Sequence, residues 1–154
     1  MIFHRREYLI IDLVQVDCDR ILTPLPGDTK SSGIFSLAIN KNNRWVIVGG
    51  DYLNPNDAAR TAAHSKDGKV WIASQTPPHG YRSSVAYDST TKTWITVGPN
   101  GTDISTDEGK NWRPLHPKPG QPPDADRNWN ALSLPFVVGP YGRIGKLRND
   151  ALKP

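Results

Sequence analysis

The sequence predicts an all-β fold assembled from repeated units of four short strands. Three observations lead there: an abundance of turn formers, apolar alternation of strand type without a useful helical stretch, and self-similarity at a period near 48 residues. Among 154 residues there are 13 glycines and 14 prolines, above the combined share of about 12% that is usual. Hydrophobic residues make up 36% of the chain, enough for thin packed sheets, and the length allows one ordinary domain.

The lead-in spans residues 1–30. Its apolar stretch Tyr8 to Val16 fits a strand left over from a preceding unit. It does not read as a secretory signal, because Asp12 interrupts it and no small-residue cleavage site comes before Cys18-Asp19-Arg20. The first repeat (31–78) opens with Phe35-Ser-Leu-Ala-Ile-Asn40, an alternating run. A polar turn follows, then Arg44-Trp-Val-Ile-Val-Gly49. The second repeat (79–126) has Ser83-Ser-Val-Ala-Tyr-Asp88 and Thr93-Trp-Ile-Thr-Val-Gly98 in the same order. Leu37 and Val85 lie 48 residues apart, and Trp45 and Trp94 lie 49 apart. A third copy (127–154) begins at Trp129-Asn-Ala-Leu-Ser-Leu134 and continues as Phe136-Val-Val-Gly-Pro140. Its intervening turn has shrunk to Pro135.

The second halves match as well. Ala62-Ala-His-Ser-Lys-Asp-Gly-Lys-Val-Trp71 aligns with Asp103-Ile-Ser-Thr-Asp-Glu-Gly-Lys-Asn-Trp112. Within the second copy, Val97-Gly-Pro-Asn-Gly-Thr102 reads as a hairpin, with Asn-Gly suited to a type I′ turn. Thr76-Pro-Pro-His-Gly80 and the proline-rich stretch from Pro114 to Asp126 read as surface connections between copies. Four strands per repeat at this spacing is the pattern of a β-propeller blade, with about three antiparallel blades present and the last incomplete.

Ser105-Thr-Asp-Glu-Gly-Lys-Asn-Trp112 resembles the Asp-box, or BNR repeat, Ser-x-Asp-x-Gly-x-x-Trp, at every defined position. Ser65-Lys-Asp-Gly-Lys-Val-Trp71 is a version one residue shorter. With Ser32-Gly-Ile-Phe-Ser36, Val48-Gly-Gly-Asp-Tyr52, Gly80-Tyr-Arg-Ser83 and Trp129-Asn-Ala-Leu-Ser133, residues 20 to 148 are most similar to the photosystem II stability/assembly factor-like propellers. These belong to the superfamily of sortilin-type and sialidase-type propellers. The resemblance implies six or seven blades in the whole ring, often in exported proteins. This chain therefore reads as the C-terminal part of a larger propeller, with missing blades upstream and its compartment undetermined. The resemblance also implies structural roles for Ser65, Asp67, Gly68, Trp71, Ser105, Asp107, Gly109 and Trp112. Ser and Asp would bond turn amides, Gly would permit the reversal, and Trp would pack between sheets.

A sialidase-like glycoside hydrolase is the alternative within the same superfamily. It would need convergent arginines, a tyrosine nucleophile with a glutamate partner, and an acid/base carboxylate. Tyr81, Arg82, Asp51, Tyr52, Arg60 and Arg143 are available, but the only glutamates are Glu7 and Glu108, and Glu108 lies in the Asp-box turn. The histidines, His4, His64, His79 and His116, lack ligand-like spacing, Cys18 has no neighbouring base, and no glycine-rich nucleotide motif follows a strand. No catalytic residue, metal or cofactor is expected.

Charge points the same way. The net +4 is spread among 15 acids without a basic run, which does not suggest nucleic acid, and no stretch is long and apolar enough for a membrane-spanning helix. A protein or peptide partner is the expected ligand of a non-catalytic scaffold. The residues expected to approach a propeller axis are Ile34, Phe35, Tyr81, Arg82, Ser83, Trp129 and Asn130, with Asp51 and Tyr52 beside them. Arg82 is the leading candidate, since a guanidinium beside an aromatic ring can engage carboxylates. A salt bridge that holds adjacent sheets is its structural alternative.

Overall fold

The computed structural model describes residues 20–148 and 150–152. The apolar segment Tyr8 to Val16, Cys18, His4 and Glu7 lie outside the described residues. Among the described residues there are strands and turns but no helix. Strands β1 (Ser32–Ile39), β2 (Trp45–Asp51), β3 (Ala62–Ser65) and β4 (Ile72–Ala73) form one antiparallel sheet in chain order. The second sheet repeats this with β5 (Ser84–Asp88), β6 (Thr93–Gly98), β7 (Gly101–Ser105) and β8 (Arg113–Pro114). The third sheet has three strands: β9 (Ala131–Ser133), β10 (Phe136–Val138) and β11 (Ile144–Lys146). None of the sheets closes on itself.

The sequence period is also a period of contacts. Trp45 pairs with Ser65 across β2 and β3, and Trp94 pairs with Ser105 across β6 and β7. The first strands of the three sheets lie side by side, β1 against β5 and β5 against β9. At the first junction the Ser36 hydroxyl accepts from the Val85 amide at 3.1 Å, and at the second the Ser84 hydroxyl accepts from Leu132, also at 3.1 Å. The glycine that closes each second strand has a physical reason too. A Cβ on Gly49, Gly98 or Gly139 would lie 1.9, 2.4 or 2.3 Å from the carbonyl oxygen of Gly33, Tyr81 or Asn128. Those three carbonyls are themselves one period apart, so each copy needs a missing side chain at the same spot.

Two cores lie between the sheets. Val46, Val48 and Ala62 of the first sheet meet Val85, Trp94 and Trp112 of the second. Ile95 and Ile104 of the second sheet meet Leu132 and Leu134, joined by Leu115, Leu147 and Leu152. The outer face of the first sheet carries Ile47 and Ala63 with Leu25 and Trp71, while Leu37 and Ile39 stay exposed. On the far side of the third sheet, Phe136, Val138 and Ile144 are exposed as well.

The turns that follow β3 and β7 use one chemistry in two lengths. The Ser65 hydroxyl accepts from the Gly68 amide at 2.9 Å, and the Ser105 hydroxyl accepts from the Gly109 amide at 3.1 Å. Asp67 accepts from the Lys69 and Val70 amides, and Asp107 accepts from the amide and side chain of Asn111. Each carboxyl is held below its ordinary range. For Asp67 the backbone amides dominate; for Asp107 burial opposes the shift and the Asn111 and Ser105 bonds outweigh it. Trp71 and Trp112 donate back to the carbonyls of Gly68 and Gly109 at 3.1 and 3.0 Å. Only Trp112 is seated between two described sheets.

One expected turn is corrected. The β6–β7 connection is not a type I′ turn, because Gly98 pairs with Gly101 and the central residues are therefore Pro99 and Asn100. A proline ring holds φ near −65°, and Asn100 is not among the residues with positive φ, so the positive φ falls one residue later, at Gly101.

Candidate functional site

Arg82 enters just before β5 and is wholly buried, with 0% of its surface exposed. Its Nε donates to Asp103 Oδ2 at 2.8 Å, and its Nη2 donates to the same oxygen. Nη1 donates to the Tyr81 carbonyl at 2.7 Å and to Asn100 Oδ1. His79 completes the knot, its Nδ1 lying 2.8 Å from Asp103 Oδ1. Burial pulls the guanidinium down from its usual range, while the charge and hydrogen bonds of Asp103 oppose that shift. The leading sequence candidate for partner contact is thus engaged inside the molecule and presents no free face. Its partner Asp103 belongs to its own sheet, while its backbone amide reaches the Gly49 carbonyl of the first sheet at 2.9 Å.

Above the knot sits an aromatic patch. The Tyr81 ring is nearly buried and stands edge-on to Phe35 at 4.9 Å between centroids, and Tyr52 lies 6.0 Å from Phe35 and 6.5 Å from Tyr81. Phe35 and Tyr52 remain 43% and 48% exposed, with Leu53 beside them in sequence and strongly exposed. Asp51 is spent locally, accepting from the Leu53 amide at 2.9 Å, which shapes the turn that lifts Tyr52. Burial, and then the neighbouring Tyr52, push the Tyr81 hydroxyl upward, so that hydroxyl keeps its proton at ordinary pH. The patch rests on the knot: the amides of Tyr81 and Asn100 both reach Pro55, the first through its backbone and the second through its side chain, each at 3.0 Å.

The remaining candidates gather elsewhere. Ser83 is intermediate in exposure, and its hydroxyl donates to the Trp129 and Val97 carbonyls at 3.0 and 3.2 Å. Trp129 is buried; its indole donates to the Ala125 carbonyl, and the Arg143 guanidinium sits 4.1 Å from its ring centroid. Arg143 in turn pairs with Asp124 at 3.0 Å. Asn130 is exposed, and its amide is used by the Val138 carbonyl. Next to Trp129 a cleft of about 540 Å³ opens between the second and third sheets.

Of the residues that a glycosidase reading would use, Tyr81, Tyr52, Asp51 and Arg82 lie near one another, whereas Arg143 and Glu108 lie elsewhere. Arg82 is enclosed, Arg143 lies over Trp129, and the Glu108 carboxylate accepts from Asn40 at 3.5 Å in the turn before Gly109. Among the described residues no group of three or more His, Cys, Asp or Glu is placed to hold a metal. Sequence reasoning passed over Asp103, Asn100, His79 and the cleft. The available signal for Asp103 was its alignment with Ala63, an acid where the sister repeat has a methyl group. Comparison with protein-family models gives no match, and comparison with curated proteins gives none either.

Proposed function

We propose that the chain is a run of about three propeller blades, the first two with Asp-box turns and the last incomplete, and works as a non-catalytic binding scaffold. The Phe35–Tyr52–Tyr81 patch would be its contact for a protein or peptide. One observation carries this reading: two large rings, Phe35 and Tyr52, stay half-exposed although they are held edge-to-face on a rigid base. Tyrosine-type rings that offer area at small entropic cost are the commonest anchors of interfaces. The propeller reading draws support from the contacts that recur with the sequence period: the serine-to-amide bonds between first strands, and the glycine–carbonyl approach in every sheet. The exposed outer faces of the first and third sheets fit neighbours in a larger ring, supplied by further blades of a parent chain.

Selection of a displayed random-peptide library on the immobilised chain tests the binding role. Enriched peptides should lose about tenfold or more in affinity for Tyr52→Ala. That variant should unfold at the wild-type denaturant midpoint, since Tyr52 is half-exposed and buries little. Peptides that bind both proteins equally would remove the patch from the reading.

A further inference from the structure

The only asparagine–glycine step in the sequence, Asn100-Gly101, lies where β6 turns into β7, inside the Arg82 knot. Such a step is among the least durable in a polypeptide. With no side chain on the second residue, its backbone nitrogen can reach the side-chain carbon of the first.

Both halves of the step are required by this fold. Asn100 Nδ2 donates to the Pro55 carbonyl at 3.0 Å, to Asn56 Oδ1 at 3.1 Å and to the His79 carbonyl at 3.3 Å, while Oδ1 accepts from Arg82 Nη1. A primary amide offers donor and acceptor on one planar group, whereas a carboxylate only accepts. Gly101 is fixed by its neighbour, since an added Cβ would lie 2.5 Å from His79 Nε2. The third copy has Pro140-Tyr141-Gly142 where the second has Pro99-Asn100-Gly101, so the labile step belongs to the middle sheet.

The intact knot hinders reaction at this step. The Asn100 amide is held at both its polar atoms, and Gly101 is buried and paired with Gly98 across the hairpin. The side chain must leave Arg82 and Pro55 before its carbon can turn towards the Gly101 nitrogen, so the rate follows the population of the opened turn.

We infer that Asn100 is a guarded deamidation site whose reaction irreversibly frees the loop that carries Tyr52. When the knot opens, the Gly101 backbone nitrogen loses its proton and attacks Asn100 Cγ. A C–N bond forms, the side-chain nitrogen leaves as ammonia after taking up a proton, and a five-membered succinimide remains. One water then opens the ring at either carbonyl and returns a proton to the ring nitrogen, which leaves aspartate or isoaspartate. Aspartate sets a carboxylate against the Pro55 carbonyl, Asn56 Oδ1 and the His79 carbonyl, acceptor facing acceptor. Isoaspartate adds a methylene to the backbone of a two-residue turn and so breaks the Gly98–Gly101 register. Pro55 then keeps the Tyr81 amide but loses Asn100. The site does not depend on the binding role proposed above, but it places the Phe35–Tyr52–Tyr81 patch under one-way chemical control.

The full chain is incubated at mildly alkaline pH, natively and in concentrated urea, and peptide mapping by mass spectrometry follows conversion of Asn100. Conversion in urea should be at least about tenfold faster than in the folded chain. Equal rates, or an Asn100 that stays intact in urea, would overturn the site. Hydrogen exchange reads the release. In Asn100→Asp and in the purified deamidated chain, the loop between β2 and β3 and the Tyr81 amide should exchange about tenfold faster, with the β5 and β6 amides unchanged. Unchanged exchange in the loop, or equal acceleration through all three sheets, would overturn the release.

Discussion

Arg82→Ala should cost the fold a large share of its stability, not merely a surface contact. The guanidinium is 0% exposed and Asp103 is 1% exposed, so truncation leaves a carboxylate enclosed with only His79 beside it. Removing one partner of a buried ion pair typically costs about 3–5 kcal/mol, because the survivor keeps its desolvation penalty. The bonds to the Tyr81 carbonyl and Asn100 are lost as well. A domain of this size has about 5–15 kcal/mol in total. With a urea slope of about 2 kcal/mol per molar, the midpoint should fall by about 1.5–2.5 M. Equilibrium urea unfolding followed by tryptophan fluorescence reads this directly. The double variant Arg82→Met/Asp103→Leu should recover most of the loss, since apolar groups of similar volume replace such pairs at little cost. A single variant within about 1 kcal/mol of wild type would refute the reasoning, as would a double variant no better than the single.

Two further outcomes follow from the turns. Gly109→Ala should destabilise by about 1–3 kcal/mol, since φ is +79° there and the new Cβ would lie 2.8 Å from Val46 Cγ2; an unchanged urea midpoint would contradict it. Acid should weaken the fold through Asp67 and Asp107, whose carboxyls sit below the usual 3.8. A depressed carboxyl gives stability that is fully present above the unfolded value and lost as the pH falls through the lower folded one. Urea midpoints should therefore hold from pH 7 to about 5 and drop towards pH 3. Asp67→Asn/Asp107→Asn should flatten that drop, and an equal drop in the variant would assign it to other groups.

Repeat chemistry was legible in the sequence where one residue type answers one local need. The closing glycines, the serine and aspartate of the turns and the paired tryptophans all fall into this class, and their places follow from spacing alone. What spacing did not carry was the exchange of partners between copies. Arg82 aligns with Ile34 in the first copy and Trp129 in the third, and Asp103 aligns with Ala63. Neither substitution breaks the strand pattern, so the pair is invisible until the fold brings residues 21 positions apart into contact. The proline in Pro99-Asn100 was weighed too lightly against Asn-Gly, because a turn signal names the reversal but not which two residues occupy its centre. The cleft was beyond reach in principle. Spacing places strands side by side, but it does not say which side chains fill the space between two sheets.

The polar knot belongs to the second sheet alone, and its position explains why. A buried charge pair needs cover on every side, and this is the sheet with described neighbours on both faces. There the pair does more than fill space. Asn100 joins the knot to Pro55 and Asn56 in the loop that follows β2, at 3.0 and 3.1 Å. Tyr81, whose carbonyl Arg82 holds, also bonds Pro55 and stands edge-on beneath Phe35. The loop that presents Tyr52 is thus anchored to the middle sheet by the same groups that make Arg82 indispensable. Loosening the knot should therefore blunt the aromatic patch even where the sheets survive, so Arg82 shapes binding by positioning rings it does not display.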